Sequence, residues 1–424
     1  MKVVHLSTQD SKGGGPRAAY RLHVGLRQLG CDSSMIVARR RSGDPAVMAL
    51  PGDLLGPVRR RLRWRQLPLA FFRYWRSRPV GYTLFTDHRA RHGARLVSQL
   101  PSCDMVNLHW VAQFIDYRTF FTTVPSRTPV VWTLHDVNAF SGGCHINLGC
   151  KRYVEDCGAC PQLGSRNLND VSHKIWQHKR EIYNQIEPGR LHIVTPSRWM
   201  ATQVQHSSLM SSFPVSVIPN GLDTDVFSPQ DRCMARSTLG IPQDMNVILF
   251  VANSVIIRHK GFSLLAQALS NLDGSVFLVS LGSGRPVIDA SIPHLHLRHI
   301  ENDRQLALFY SAADVFVIPS LQENLPNTVM EALACGTSVV GFAVGGIPDM
   351  VRPGVTGSLV PPEDVRSLRT AIVELLQDTD KRARMALNCR RIAVEEYALK
   401  VQAQRYSELY REITERTKDC LTLK

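Results

Sequence analysis

In the stretch SLQENLPNTVMEALACGTSVVGF, Glu323 and Glu331 stand eight positions apart on either side of Pro326. An ionised carboxylate accepts hydrogen bonds from two neighbouring hydroxyls, each about 1.5–3 kcal/mol when charge-assisted. Pro326 suits a first helical turn, Asn327 a cap and Gly336 a stop, so a helix is expected to begin between the two acids. Glu323 then falls on the loop after the strand-like DVFVIPS and Glu331 in the first turns of the helix, both facing one cleft mouth. Upstream, VIIRHKGF sets Arg258 and Lys260 between a strand and a helix, where a planar fork and a point charge can neutralise a diphosphate. Paired carboxylates also serve as the acid and base of glycosidases. The basic pair favours a polyol carrying phosphate, with the N–H groups of the helix start as further anion donors.

Two more sites follow strand-like runs. In TQDSKGGGPRAAY, Gly13, Gly14 and Gly15 precede a helix expected near Pro16, allowing close backbone approach to an anionic ligand or simply making a turn. Neither the P-loop nor the dinucleotide spacing is present. Gly282 and Gly284 of LGSGRP read as a plain turn. His135 and Asp136 end VVWTLHD, and His109 and Trp110 end MVNLHW. A histidine at a strand end is often only structural, but two at equivalent strand ends make His135 a candidate for positioning a sugar hydroxyl.

The elements that must hold these residues alternate. KVVHLS, RAAYRLHVGLRQLG, SSMIVA, PVVWTLHD, LHIVTPS and VSVIP read as strands and helices in turn, and the pattern restarts at NVILFVANS after the turn-rich VIPNGLD. Such alternation specifies parallel sheets wrapped by helices, here two doubly wound α/β units in tandem, and 424 residues suffice for two cores. A final helical stretch, EEYALKVQAQRYSELYREITERT, has no sheet of its own and must dock on another element. The opening strand-like run lacks the succession of a secretory leader, and no run approaches the roughly 20 apolar residues of a membrane span. A cytoplasmic protein is expected.

The net charge of +14 is concentrated: residues 39–95 hold 14 Arg against three Asp, an excess of +11. Arg59, Arg60, Arg61, Arg63, Arg65, Arg73, Arg76 and Arg78 interleave with Trp64, Phe71, Phe72, Tyr74 and Trp75. Arginine with interfacial aromatics suits an anionic membrane surface; a nucleic acid or bulk solvent are the rivals. Four of the ten cysteines, Cys144, Cys150, Cys157 and Cys160, lie within 17 positions. Structural zinc is the leading reading, with His145 as an alternative ligand, beside redox use and packed free thiols.

GGGPRAA, TLHD, TPSRWMA, VIPNGLDTDVFSP, KGF, LVSLGSG, LALFYSAADVFVIPS and ENLPNTVME, in this order, resemble the retaining GT-B glycosyltransferases of glycosyltransferase family four over nearly the whole chain. The resemblance implies two Rossmann-like domains facing a central cleft: residues 1–219 on the acceptor side, with a basic arm at 39–95 and a cysteine-rich insert at 141–164; residues 220–396 holding the nucleotide-sugar; and 397–424 as a helix returning to the first domain. It implies Glu331 on ribose hydroxyls, Glu323 on the transferred sugar, Arg258 and Lys260 on the diphosphate, and Asn324, Leu325, Asn327 and Thr328 on sugar and phosphate. His299 and Ile300 would meet the base, His135 the sugar near C6, and Gly14 and Gly15 the phosphate or acceptor. Two positions depart from the family pattern: Val255 replaces a basic residue five places before the lysine, and Leu325-Pro326 replaces a frequent Phe-Gly. The insert resembles those of members linked to exopolysaccharide assembly.

The resulting expectation is a retaining hexosyltransferase with no catalytic metal. It would move sugar from a UDP- or GDP-linked donor to a glycan or lipid-linked acceptor in polysaccharide biosynthesis, at the inner face of the cytoplasmic membrane, with no nucleic-acid partner. A GT-B nucleotide-sugar epimerase and a non-catalytic nucleic-acid-binding protein are the alternatives.

Overall fold

Among the described residues, the apolar runs that form the two sheets fold as strands paired in parallel. A computed structural model describes residues 1–50, 74, 78–79, 84–90, 94–270, 272, 276–298 and 300–422. Most of the arginine-rich segment, including Arg59 to Arg73, lies outside the described residues. The chain divides into two units, Met1–Ile218 with Ala403–Lys424, and Pro219–Gln402.

The first unit is built on β1 (Lys2–Gln9), β2 (Asp32–Arg39), β3 (Val47–Ala49), β4 (Met105–Leu108), β5 (Val130–Thr133), β6 (Leu191–Thr195) and β7 (Val215–Val217), ordered β3-β2-β1-β4-β5-β6-β7. Both faces of this sheet are covered, so its strands carry runs of consecutive apolar residues, such as Val130 to Trp132, instead of a strict apolar–polar alternation. Val130 and Trp132 enter one core while Val131, between them, enters the other. Each fully buried residue of this size contributes about 1.5–3 kcal/mol of transfer free energy. The strand order reverses between β1 and β4, and ligands of open parallel sheets bind outside the carboxyl ends at such a reversal. The glycine turn after β1 and His109 after β4 sit there.

The last helix, Leu399–Thr422, completes this unit. Ala403, Tyr406, Tyr410 and Ile413, one stripe at helical spacing, pack with Val3, Leu22, Met105, Val131 and Val194. The two phenols satisfy polar groups in the sheet. Asn107 Nδ2 donates to Tyr410 Oη at 2.6 Å, and Thr133 Oγ1 donates to Asn107 Oδ1 at 3.1 Å. With its proton so used, Thr133 must accept from Tyr406 Oη, 3.0 Å away.

The second unit carries β8 (Asn246–Ser254), β9 (Val276–Ser283), β10 (His294–Leu297), β11 (Val315–Ile318), β12 (Ser338–Phe342) and β13 (Gly357–Val360), ordered β10-β9-β8-β11-β12-β13. It has the same two-sided burial: Val247 and Leu249 enter one core, Ile248 and Phe250 the other. Its reversal lies between β8 and β11, so the loops after these strands, carrying Arg258, Lys260 and Glu323, are neighbours. They are joined through Gly261, whose φ is +71° and whose added Cβ would lie 1.7 Å from the Pro319 carbonyl oxygen.

Three substitutions test this packing. Tyr410→Phe leaves Asn107 Nδ2 without its 2.6 Å partner in the core and should cost about 1–3 kcal/mol, read as a lower urea midpoint; an unchanged midpoint would contradict the bond. Gly240→Ala, at φ +66° with open space around the new methyl, should cost only the left-handed conformation, roughly 1–2 kcal/mol. Gly261→Ala should cost distinctly more because it adds a backbone clash; equal losses in the two variants would show that the approach to Pro319 is loose.

Candidate functional site

In the second unit, β8 ends and Val255 turns back into the core, packed with Phe250 and Phe262. An apolar residue at that position is therefore demanded by packing. Arg258–Lys260 then form one turn of 3₁₀ helix, with Gly261 after it. The backbone N–H of Leu321 donates to the His259 carbonyl at 2.8 Å, tying this turn to the loop after β11.

Across that tie, Lys260 Nζ donates to Glu323 Oε1 at 2.6 Å, and Ser320 Oγ donates to the same oxygen at 2.9 Å. The lysine and glutamate side chains are 21% and 13% exposed, so the pair is mostly withdrawn from water. The main chain of Glu323 is gripped as well: the Gly346 N–H donates to its carbonyl at 3.0 Å, and a Cβ on Gly345 would stand 1.9 Å from that oxygen. His259 between the basic residues is buried, and burial, then Lys260, lowers its pKa to about 4. Arg258 is exposed.

Glu331 differs from its expected place at an open mouth. It is 2% exposed on the helix Asn327–Ala334, and Tyr310 Oη donates to its Oε2 at 3.1 Å. The helix starts where expected, but Pro326 occupies the cap position without a side-chain cap bond and Asn327 is already helical. Asn327 Oδ1 instead accepts from Asn220 Nδ2 at 3.5 Å. Asn324, Thr328 and Ile300 are half-buried and Leu325 is buried. His299 lies outside the described residues.

In the first unit, Gly13, at φ +97°, caps the helix Gly14–Gln28. A Cβ on Gly15 would lie 3.0 Å from His135 Cβ, so a larger residue would displace that ring. His135 Nε2 bonds His109 Nδ1 at 3.1 Å, with the rings stacked at 5.4 Å. The two strand-end histidines, read separately in the sequence, thus form one unit. Asp136 accepts from His145 Nδ1 at 2.6 Å, Trp110 Nε1 at 2.7 Å and the Asn138 N–H at 2.9 Å. Burial opposes its ionisation, but His145 and these bonds outweigh it and hold the carboxyl below its ordinary value. Trp110, Tyr117, Trp132, His135, Asp136 and His145 help line a small hollow.

The zinc reading of the cysteines needs correction. Among the described residues no three His, Cys, Asp or Glu side chains are placed to hold a metal ion, and Cys144, Cys150, Cys157 and Cys160 are free thiols. Burial pushes the Cys144 thiol up to about 12 and Cys160 up to about 11, and raises Cys157 as well. Cys157 Sγ accepts instead from the Gly142 N–H at 3.1 Å. Packed thiols describe this cluster.

Sequence reasoning passed over Ser320, Tyr310 and the Gly345-Gly346 pair. The glycine pair two residues after SVVGF carried the usable signal, since two adjacent glycines in the loop after a strand imply close backbone approach.

Residues 12–226 match the family described as Glycosyltransferase Family 4, and residues 245–378 match Glycosyl transferases group 1. A D-inositol 3-phosphate glycosyltransferase of Xylanimonas cellulosilytica is 37% identical over 194 residues, covering 42% of this chain and 46% of that protein. The chain thus spans less than half the length of this curated relative. In fold, it is similar to a sucrose-phosphate synthase from Thermosynechococcus elongatus, with TM-score 0.66 and 19% identity over 98% of this chain and 100% of the other. It is also similar to Anabaena HepE in complex with UDP-glucose, with TM-score 0.62 and 17% identity over 97% and 100%. The two parallel-sheet α/β units are those of the GT-B class, and the chain belongs to glycosyltransferase family 4.

Proposed function

We propose that the protein transfers a hexose from a UDP- or GDP-linked donor to a hydroxyl of a glycan or lipid-linked acceptor, with retention at the anomeric carbon and no catalytic metal. The observation that carries this reading is the Lys260–Glu323–Ser320 cluster at the sheet reversal of the second unit. One of the three ammonium donors of Lys260 meets Glu323 at 2.6 Å, leaving two for phosphate oxygens. Glu323 keeps acceptor capacity for sugar hydroxyls, and its fixed main chain sets where they lie. Glu331 is assigned to the ribose hydroxyls, Arg258 with Lys260 to the diphosphate, and Asn324, Leu325, Asn327 and Thr328 to sugar and phosphate. In the first unit, His135 is assigned to the C6 side of the sugar and Gly14 and Gly15 to phosphate or acceptor.

The reaction follows from these charges. As the anomeric C–O bond breaks, negative charge grows on the departing diphosphate, and Lys260 and Arg258 stabilise it. The departing phosphate oxygen takes the proton of the incoming acceptor hydroxyl, which attacks from the same face; no side-chain base is needed. The similarity to a UDP-glucose complex supports a nucleotide-sugar donor. The arginine-rich segment at 39–95 supports a lipid-linked acceptor in polysaccharide assembly, met at the inner membrane face. Among the described residues no helix is long and apolar enough to cross a membrane.

Glu323→Ala should abolish transfer while Glu331→Ala weakens nucleotide binding, measured by radiolabelled sugar transfer and calorimetry. Wild-type behaviour in both would refute these assignments, and product formation without any acceptor would favour an epimerase. Replacing Arg59, Arg60 and Arg61 with Ser should weaken sedimentation with phosphatidylglycerol vesicles; unchanged binding would refute the membrane role.

A further inference from the structure

His135 is the outer end of a buried series of imidazoles. Its Nε2 meets His109 Nδ1 at 3.1 Å, and His109 Nε2 meets His5 Nδ1 at 2.9 Å. His5 lies at the centre of β1 and His109 just past β4; they are 0% and 3% exposed. The far nitrogen, His5 Nε2, is buried and has no partner among the described residues; the rings of His5 and His23 meet edge-on with centroids 6.0 Å apart. Beyond His23 stand Asp44 and Arg27. Burial, then the neighbouring histidines, keeps His109 neutral, and burial lowers His135 to about 4 against the pull of Asp136.

A neutral imidazole carries one N–H, and each N···N contact needs one proton. Three rings joined by two contacts therefore have only two arrangements. In one, His5 Nε2 carries a proton that no acceptor meets, and His135 ends in a bare Nδ1. In the other, His5 Nδ1 donates to His109, His109 Nδ1 donates to His135, and the third proton sits on His135 Nδ1. An orphaned N–H in a core is the costlier defect. The second arrangement leaves the proton on His135 Nδ1, the outer end of the series, which has no hydrogen-bond partner among the described residues; the ring lies against Gly15 on its Cγ–Cδ2 side.

We infer that His5 and His109 are positioning residues that lock His135 as its Nδ1–H tautomer, so that it presents a hydrogen-bond donor to an oxygen of the bound sugar or phosphate. This use of the donor rests on the proposed transferase reading, but the lock itself does not.

The test uses the full chain with ¹⁵N-labelled histidine rings, the His135 signals being identified by their loss in His135→Asn. The wild-type spectrum should show a protonated Nδ1 and a bare Nε2 on His135 without any ligand. His5→Phe, which fills the space but removes the donor, should give a mixture of tautomers. It should also lower kcat by about three- to tenfold, the worth of one ordinary hydrogen bond. His5→Gln, whose amide N–H can donate to His109, should restore both. A wild-type His135 protonated at Nε2, or an unmixed tautomer in His5→Phe, would overturn the lock; if His5→Phe does not fold, the wild-type spectrum decides alone. Absence of sugar transfer by the wild-type protein would instead sink the transferase reading and leave the spectral result standing.

Discussion

The 2.6 Å contact between Lys260 and Glu323 is the interaction on which the second unit's site depends. Two charges withdrawn from water are costly unless the geometry is good and the remaining hydrogen bonds are met. Ser320 adds such a bond, while the main chain is placed from outside the pair, by Gly261 against Pro319 and by Gly345-Gly346 against Glu323. Each of these is an approach that a side chain would block. The sheet reversal between β8 and β11 brings the two loops together; the glycines let them approach close enough for an ion pair.

The first unit follows a different design. Its polar groups are interior: Asn107, Thr133, Tyr406 and Tyr410 close one network under the last helix, and His5, His109 and His135 run through the sheet toward the glycine turn. Buried networks whose members are paired rigidify a core. A ring held by such a network points one way and shows one tautomer. The two units thus reach preorganisation by different means, one by charge and glycine packing, the other by neutral hydrogen-bond chains.

The fold was legible because both sheets are covered on both faces: Val130, Val131 and Trp132 are all buried, so each strand appears as an apolar run and each gap as a helix. The residues of the site were legible as types, since lysine before a glycine and glutamates around a proline stand out against apolar strands. Their contacts were not. That Lys260 holds Glu323 across 63 positions, or that Glu331 is turned inward to Tyr310, depends on strand order and on the depth at which a helix is buried. The cysteines misled for a related reason: spacing brings thiols near one another along the chain, but among the described residues the fold places no three ligating side chains around one point. His5 was hidden inside an ordinary strand pattern, and only the register placing it opposite Asn107 in β4, one strand away from His109, exposes its connection.

In the proposed reaction Lys260 and Glu323 act on the donor as one device. A double-substitution cycle in sugar transfer from UDP-glucose and GDP-mannose, using Lys260→Met, Glu323→Gln and the pair together, addresses this directly. Residues that act as a unit give strongly non-additive losses. The double variant should lose little more than either single one. Losses that multiply, as for independent residues, would contradict it.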